Sequence, residues 1–517
     1  MIESNVIEWL DFGDSAQNIE IYSRKKTLFF FRFFREINKN KPFPILINIL
    51  FMIIFFFQIW TMNIISVPSK DDLILEIFDY LKRVIAFYDL IIDENTYRKI
   101  FTAIFYFVIV DFLLIVITIF IMKKINTTIL ILIISILNII NYYYMIGPLV
   151  EICLTCMLCE NGHFKYLGKA CYSSEHLIYC IVSFLLLILS LFMSFLYSFF
   201  CYEIELITTN LNGKLNRINC KYELFALISK IFIFLFGFHV KKYGNNDLLK
   251  IIYEGYIFFN CLIMSIYVYK NVYYYNEVIN YINLFGWYFS SWYSFCVLLK
   301  TTLNLNGVSS IIFIGWVIIA LSFYKANKIK EYLLITNSNI FEFKDIKSIE
   351  MFKNILLKKL TDKNNYHSKI LLFGIIKKFE EFSMNNPELN FQYHKLKDNK
   401  ILAKKFSKDE DLPIMSIIYL LYTSYLDKFT NKEEIIFHMC YFLINKLNNP
   451  SYAMLLCSKL KSEDIRGAYY KYLLAEDIKD YLIFKLKKNS NKESIKHVQI
   501  GSVILYNLYI FIQNKNL

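Results

Sequence analysis

Glycine and proline are scarce in this chain, at 14 and 7 of 517 residues. That removes most turn punctuation and favours helices over sheet. Enzyme signatures are also missing: no GxxxxGK[ST], HExxH, GxSxG or protein-kinase set occurs. A non-enzymatic protein is expected. Residues 1–21 carry no apolar h-region, so no cleavable signal peptide is expected either. Charge is sparse, with 20% DEKR against 56% hydrophobic residues and a mean hydropathy of +0.40. A soluble protein is rarely so apolar, and an all-membrane one is rarely so charged. A membrane domain joined to a soluble one satisfies both figures.

What is abundant is Phe, at 49, and Tyr, at 40, beside many Ile, Lys and Asn residues. This looks like the coding bias of an AT-rich genome, so single aromatic residues carry little functional weight. The net charge of +13 raises nucleic acid as a partner, but no recognised binding fold accompanies it. The basic residues instead cluster beside apolar runs, as in Arg24-Lys25-Lys26 and Lys328 to Lys330. The positive-inside rule and anionic lipid heads account for that placement.

Residues 1–41 read as a cytoplasmic segment with a basic, aromatic interfacial helix. A membrane domain follows at 42–324, with apolar runs at 42–65, 100–122, 126–150, 178–200, 223–240, 251–269, 278–299 and 308–324. That is about eight spans by length. Residues 66–99 are amphipathic and read as a loop helix. Arg24, Lys25, Lys26, Arg32, Arg35, Lys39 and Lys41 assign the N-terminus to the cytoplasm. Alternate counting then puts the C-terminal region inside and the Cys/His loop at 151–177 outside; Lys241-Lys242 is the local misfit.

From Lys325 to 517 apolar runs are broken by Lys, Glu, Asp and Asn. Helices are expected at 340–361, 368–384, 412–429, 432–447, 450–460, 463–487 and 495–513. Asn431 followed by Glu434 has capping-box spacing. Short Asn- and Pro-containing turns between helices predict a cytosolic, solenoid-like layer able to dock protein partners. The fold class is thus all-α: a polytopic membrane domain followed by a cytosolic helical one.

Two constellations could carry chemistry. The loop offers Cys153, Cys156, Cys159, His163, Cys171 and His176. On the outer, oxidising side Cys153, Cys156, Cys159 and Cys171 are expected to form disulfides, whose connectivity sequence cannot give. Zinc held by Cys153, Cys156, Cys171 and His176 is the alternative, and plain thiols are a third reading. Cys180 falls in the next span and reads as packing. Within the spans lie Asp111, Lys230 and Glu254. Such residues usually face a bundle interior, often along an ion or proton path. The plainer expectation is an Asp111–Lys230 or Glu254–Lys230 pair that fixes helix packing. His438 and His497 read as fillers.

The C-x-x-C-x-x-C run, Gly168-Lys-Ala-Cys171-Tyr-Ser-Ser-Glu-His176, and the apolar span that follows resemble a family of multi-spanning proteins from ciliate protists, termed TmcB-like. The stretch Asn449-Pro-Ser-Tyr-Ala-Met-Leu-Leu and Ala468-Tyr-Tyr-Lys-Tyr-Leu-Leu-Ala-Glu-Asp-Ile resembles the helical region after their spans. The resemblance covers about 42 to 517 and implies a role in signal transduction at a plasma or ciliary membrane. Longer members carry tandem PAS sensor modules; no PAS-like βα segment follows the helical region here. The leading expectation is a sensor, receptor-like component or scaffold. The alternative is a channel or transporter using Asp111, Lys230 and Glu254.

Overall fold

A computed structural model describes residues 25–39, 45–62, 94–121, 128–156, 159–160, 163–164, 170–200, 221–243, 247–270, 277–303, 341–343, 346–361, 365–397, 411–426, 432–447 and 449–458, with parts of 311–326 and 428–478. Apart from turns and one bridge residue, Ala170, the described chain is helical with one antiparallel ladder, β1 Cys159–Glu160 against β2 His163–Phe164. It divides into two compact units: residues 33–204 with 211–329, and residues 330–517 with 1–32 and 205–210.

The first unit is a helix bundle. Its elements are α2 Ile45–Met62, α3 Glu94–Ile121, α4 Thr128–Ile140, a π-helical segment Asn141–Met145, α5 Ile146–Thr155, α6 Ser174–Phe200, α7 Lys221–Tyr243, α8 Asp247–Lys270 and α9 Glu277–Leu303. Among the described residues five helices are long and apolar enough to cross a membrane: Asn95–Ile121, Thr128–Thr155, Ser174–Phe200, Tyr222–Val240 and Asp247–Tyr269. The α2 helix is shorter, and Asn280, Asn283, Ser290, Ser291 and Ser294 dilute α9. Of the loop helix expected at 66–99, residues 66–93 lie outside the described residues and 94–99 instead form the start of α3; part of the run at 308–324 also lies outside them.

Helix α6 is apolar outside and polar inside. Ile178, Ile181, Phe184, Leu185 and Phe192 are exposed, while His176, Ser183, Ser190, Ser194 and Ser198 are buried. In water an apolar face of that size is a liability. In hydrocarbon it is the surface a spanning helix needs, with its polar groups paired within the bundle. This inversion is consistent with a membrane protein. Elsewhere α2 packs on α9 through Phe56 and Trp287, ring centroids 5.4 Å apart, and Trp60 Nε1 donates to Ser290 Oγ at 2.7 Å. Gly286 permits that approach, because a Cβ there would collide with the Phe56 ring.

The second unit holds α10 Ile346–Thr361, α11 Tyr366–Met384, α12 Pro387–Lys397, α13 Asp411–Tyr425, α14 Lys432–Asn445 and α15 Pro450–Ser458. Helix α13 is buried nearly all round. The Tyr425 hydroxyl donates to the Phe341 carbonyl at 2.7 Å and accepts from the Phe343 N–H at 2.8 Å, tying the approach to α10 onto α13. Helix α12 was not expected from the sequence. Asn386 caps it (Leu389 N–H to Oδ1, 3.3 Å), with Pro387 at its first position and Glu388 behind. The helices expected at 463–487 and 495–513 lie largely or wholly outside the described residues. Helix α1, Lys25–Lys39, buries Phe31, Phe33 and Phe34.

Candidate functional site

The bundle's polar interior is organised by a proline. Pro148 sits inside the span Thr128–Thr155 and has no N–H to offer the carbonyl four residues back, Tyr144, or the one five back, Tyr143. The turn before it winds as a π-helix over Asn141–Met145, a local defect frequent at functional sites. Two side chains take up the released carbonyls. Gln58 Nε2 on α2 donates to Tyr144 O at 2.8 Å, and Lys230 Nζ on α7 donates to Tyr143 O at 2.9 Å. The Lys230 ammonium also lies 4.4 Å from the centroid of the Phe55 ring, a favourable cation–π placement.

The same segment turns its side chains to other helices. The Tyr142 hydroxyl donates to the Glu223 carboxylate at 2.5 Å. Asn141 accepts from Ser190 Oγ at 2.8 Å, and its Nδ2 donates to Ser194 Oγ at 3.2 Å. One kinked turn therefore joins α2, α6 and α7 by polar contacts that pure apolar packing could not specify.

The three ionisable residues buried within the long apolar helices do not pair as expected. Lys230 is buried and bound to a carbonyl, and among the described residues it pairs with neither Asp111 nor Glu254. The physical reason is local: an acceptor deprived of its N–H lies within the lysine's reach. Asp111 is fully buried on α3, and neither carboxylate oxygen has a hydrogen-bond partner. Glu254 is buried on α8.

The Cys/His constellation also differs from expectation. Helix α5 runs on through Thr155, so Cys153 lies within the helix and Cys156 is its cap residue. Ile152 and Leu154 extend the apolar register, and both cysteines behave as small hydrophobes. Cys153 and Cys156 are free, buried thiols, which corrects their assignment to disulfides; Cys171 is disulfide-bonded. Cys156 Sγ accepts from Ser183 Oγ at 2.9 Å and contacts the Tyr97 hydroxyl. His176 lies in the first turn of α6, where Nδ1 accepts the Tyr172 N–H at 3.1 Å. That leaves Nε2 as the donor to the Cys156 carbonyl at 2.9 Å. With Cys171 bonded and both His176 nitrogens engaged, the set Cys153, Cys156, Cys171 and His176 does not assemble around a common point. Among the described residues no group of three or more His, Cys, Asp or Glu side chains is arranged to hold a metal ion.

A second buried ionic cluster, unforeseen from the sequence, lies in the other unit. Glu350 accepts from Lys353 and from the Tyr422 hydroxyl, and His438 Nδ1 lies 3.6 Å from its carboxylate. Burial alone would raise the Glu350 carboxyl; His438, Lys353 and Tyr422 outweigh it and hold the group at about 2. Burial in turn holds His438 below its ordinary value, against the attraction of Glu350. No single stretch of sequence brings these four residues together.

Neither the protein-family models, nor the curated proteins, nor the solved structures contain a match to this chain.

Proposed function

We propose that this chain is a non-enzymatic, multi-pass membrane protein whose bundle handles a small cation or proton at Asp111, in the manner of a channel or transporter. The observation that carries the reading is the unpaired, fully buried Asp111 carboxylate. An ionised carboxylate in apolar surroundings is costly without a positive partner. The lysine that would have supplied one is committed to Tyr143. A proton or a cation arriving at Asp111 fills that need, and its departure restores the cost. The protein would span the bilayer about eight times, with both termini cytoplasmic, in a plasma or ciliary membrane.

The test is flux across the membrane of cells producing the protein, read for protons and for Na+. Asp111→Asn abolishes flux while the amount of protein at the membrane stays unchanged, and Asp111→Glu retains part of it. Equal flux in the wild type and Asp111→Asn overturns the reading.

A second reading is a sensor, receptor-like component or scaffold in signal transduction that docks cytosolic proteins through residues 325–517. It draws on the resemblance to the ciliate TmcB-like family and on α11, where Tyr366, Ile370 and Phe373 share one exposed face. Apolar residues at that spacing suit a partner helix or groove. On this reading, changing both Ile370 and Phe373 to Glu removes partner binding and leaves flux unaltered.

A further inference from the structure

We infer that the ligand of Asp111 is a proton and not a metal cation, and that the carboxyl is held as the neutral acid while the bundle is closed. The inference rests on the cation-linked reading above and gives its ligand a chemical identity.

On α3, Ile104, Val108, Asp111 and Ile115 recur at three- and four-residue spacing and so share one face. Ile104 and Val108 are buried in an apolar cluster with Leu186 and Met193 of α6, and Ile115 packs against it. Asp111 stands in that row at 0% exposure. Its own helix therefore puts hydrocarbon one turn above it and one turn below.

No charge offsets this burial. The nearest basic residue on α3 is Lys99, twelve residues away, about 18 Å along the axis. Tyr106, five residues before Asp111, is exposed. Helices α4 and α6 pack against α3. The first has no titratable side chain; the second has Glu175, His176, Tyr179 and Cys180 in its first two turns and Tyr197 in its last. Among the described residues none of these donates to either carboxylate oxygen of Asp111, and no charged group stands close enough to act on it.

An ionised carboxylate so placed has neither a counter-charge nor a donor, and such a group takes up a proton instead. A hard metal cation that has shed its water gathers about six oxygens. Asp111 supplies two. The nearest serine or threonine on α3 is Thr118, seven residues on and about 10.5 Å along the axis. The buried serines of α6 are engaged elsewhere: Ser183 with Cys156 Sγ at 2.9 Å, Ser190 and Ser194 with Asn141 at 2.8 and 3.2 Å. A proton asks for one oxygen only. With no base beside it, that proton leaves when water reaches the carboxyl, so ionisation of Asp111 and opening of the α3–α6 seam are one event.

The test is infrared difference spectroscopy, wild type minus Asp111→Asn, on the full chain in liposomes at neutral pH, with and without Na+. The expected spectrum shows the C=O stretch of a neutral carboxylic acid, unchanged by Na+ and replaced by carboxylate bands as pH is raised. Carboxylate bands at neutral pH, or a neutral band that gives way when Na+ is added, overturn the inference. Should Asp111→Asn fail to fold, a hydrophobic carbodiimide, which reacts with the protonated acid, reads the wild type alone. Its adduct on the Asp111 peptide should fall as pH rises and be indifferent to Na+; protection by Na+ overturns the inference. A neutral Asp111 in a protein that conducts no protons removes the transport reading and leaves this assignment. Asp111-dependent Na+ flux with a carboxylate at that position does the reverse.

Discussion

Lys230 Nζ donates to the main-chain carbonyl of Tyr143 at 2.9 Å, in the place of an N–H that Pro148 cannot supply. A buried carbonyl left without a donor costs about 1–3 kcal/mol. Lys230→Met should therefore lower the thermal stability of the purified protein by about that amount. In a Pro148→Ala background, where the main chain can close the turn itself, the same substitution should cost much less. The two changes are coupled, and a double-mutant cycle on melting temperatures reads the coupling. Strictly additive losses would show that the lysine is not standing in for the proline's missing donor.

The pH response of the second unit follows from its buried ionic cluster. Glu350 is held at about 2, below its ordinary 4.5. As pH falls, the unfolded chain takes up that proton before the folded one does. Its contribution is therefore complete above about pH 5 and lost progressively toward pH 2. His438 is likewise depressed from 6.5, so its contribution is complete above that value and begins to be lost as pH falls below it. Hydrogen exchange of residues 346–361 and 432–445 in the full chain, followed from pH 7.5 downward, should show opening in two stages. His438→Gln removes the upper stage. Glu350→Gln leaves Lys353 buried without its counter-charge and should cost about 3–5 kcal/mol. Exchange independent of pH across that window would contradict the assignment.

Thiol reactivity separates the cysteines. Cys171 is bonded, whereas Cys153 and Cys156 are free but fully buried. A membrane-impermeant maleimide should label Cys171 only after mild reduction, and Cys153 and Cys156 only after denaturation. Labelling of Cys153 in the native protein would show that α5 ends earlier than Thr155.

The bundle was legible in the sequence because its apolar runs are long: five of the expected spans return as helices of sufficient length and apolarity. Its interior was less so. Asp111 and Lys230 could be singled out by type, but their partners depend on which atoms fold into reach. A main-chain carbonyl freed by Pro148 carries no mark of its own in a sequence. The proline itself did, standing within a continuous apolar run, and it was the available clue to the π turn. Helix α12 was signalled too, by Asn386, Pro387 and Glu388. Cys153 was misplaced because a cysteine serves equally as a loop thiol or as a small core residue. The Glu350, Lys353, Tyr422 and His438 cluster joins residues 72 positions apart between Glu350 and Tyr422, beyond what local spacing conveys.

The most direct test of the central claim is proton and Na+ flux into liposomes reconstituted with the purified wild type or Asp111→Asn at equal protein content. The account predicts flux in the wild type that collapses to the empty-liposome rate in Asp111→Asn, with matching elution profiles for the two proteins. Equal flux from both, or none above empty liposomes from a folded wild type, would contradict it.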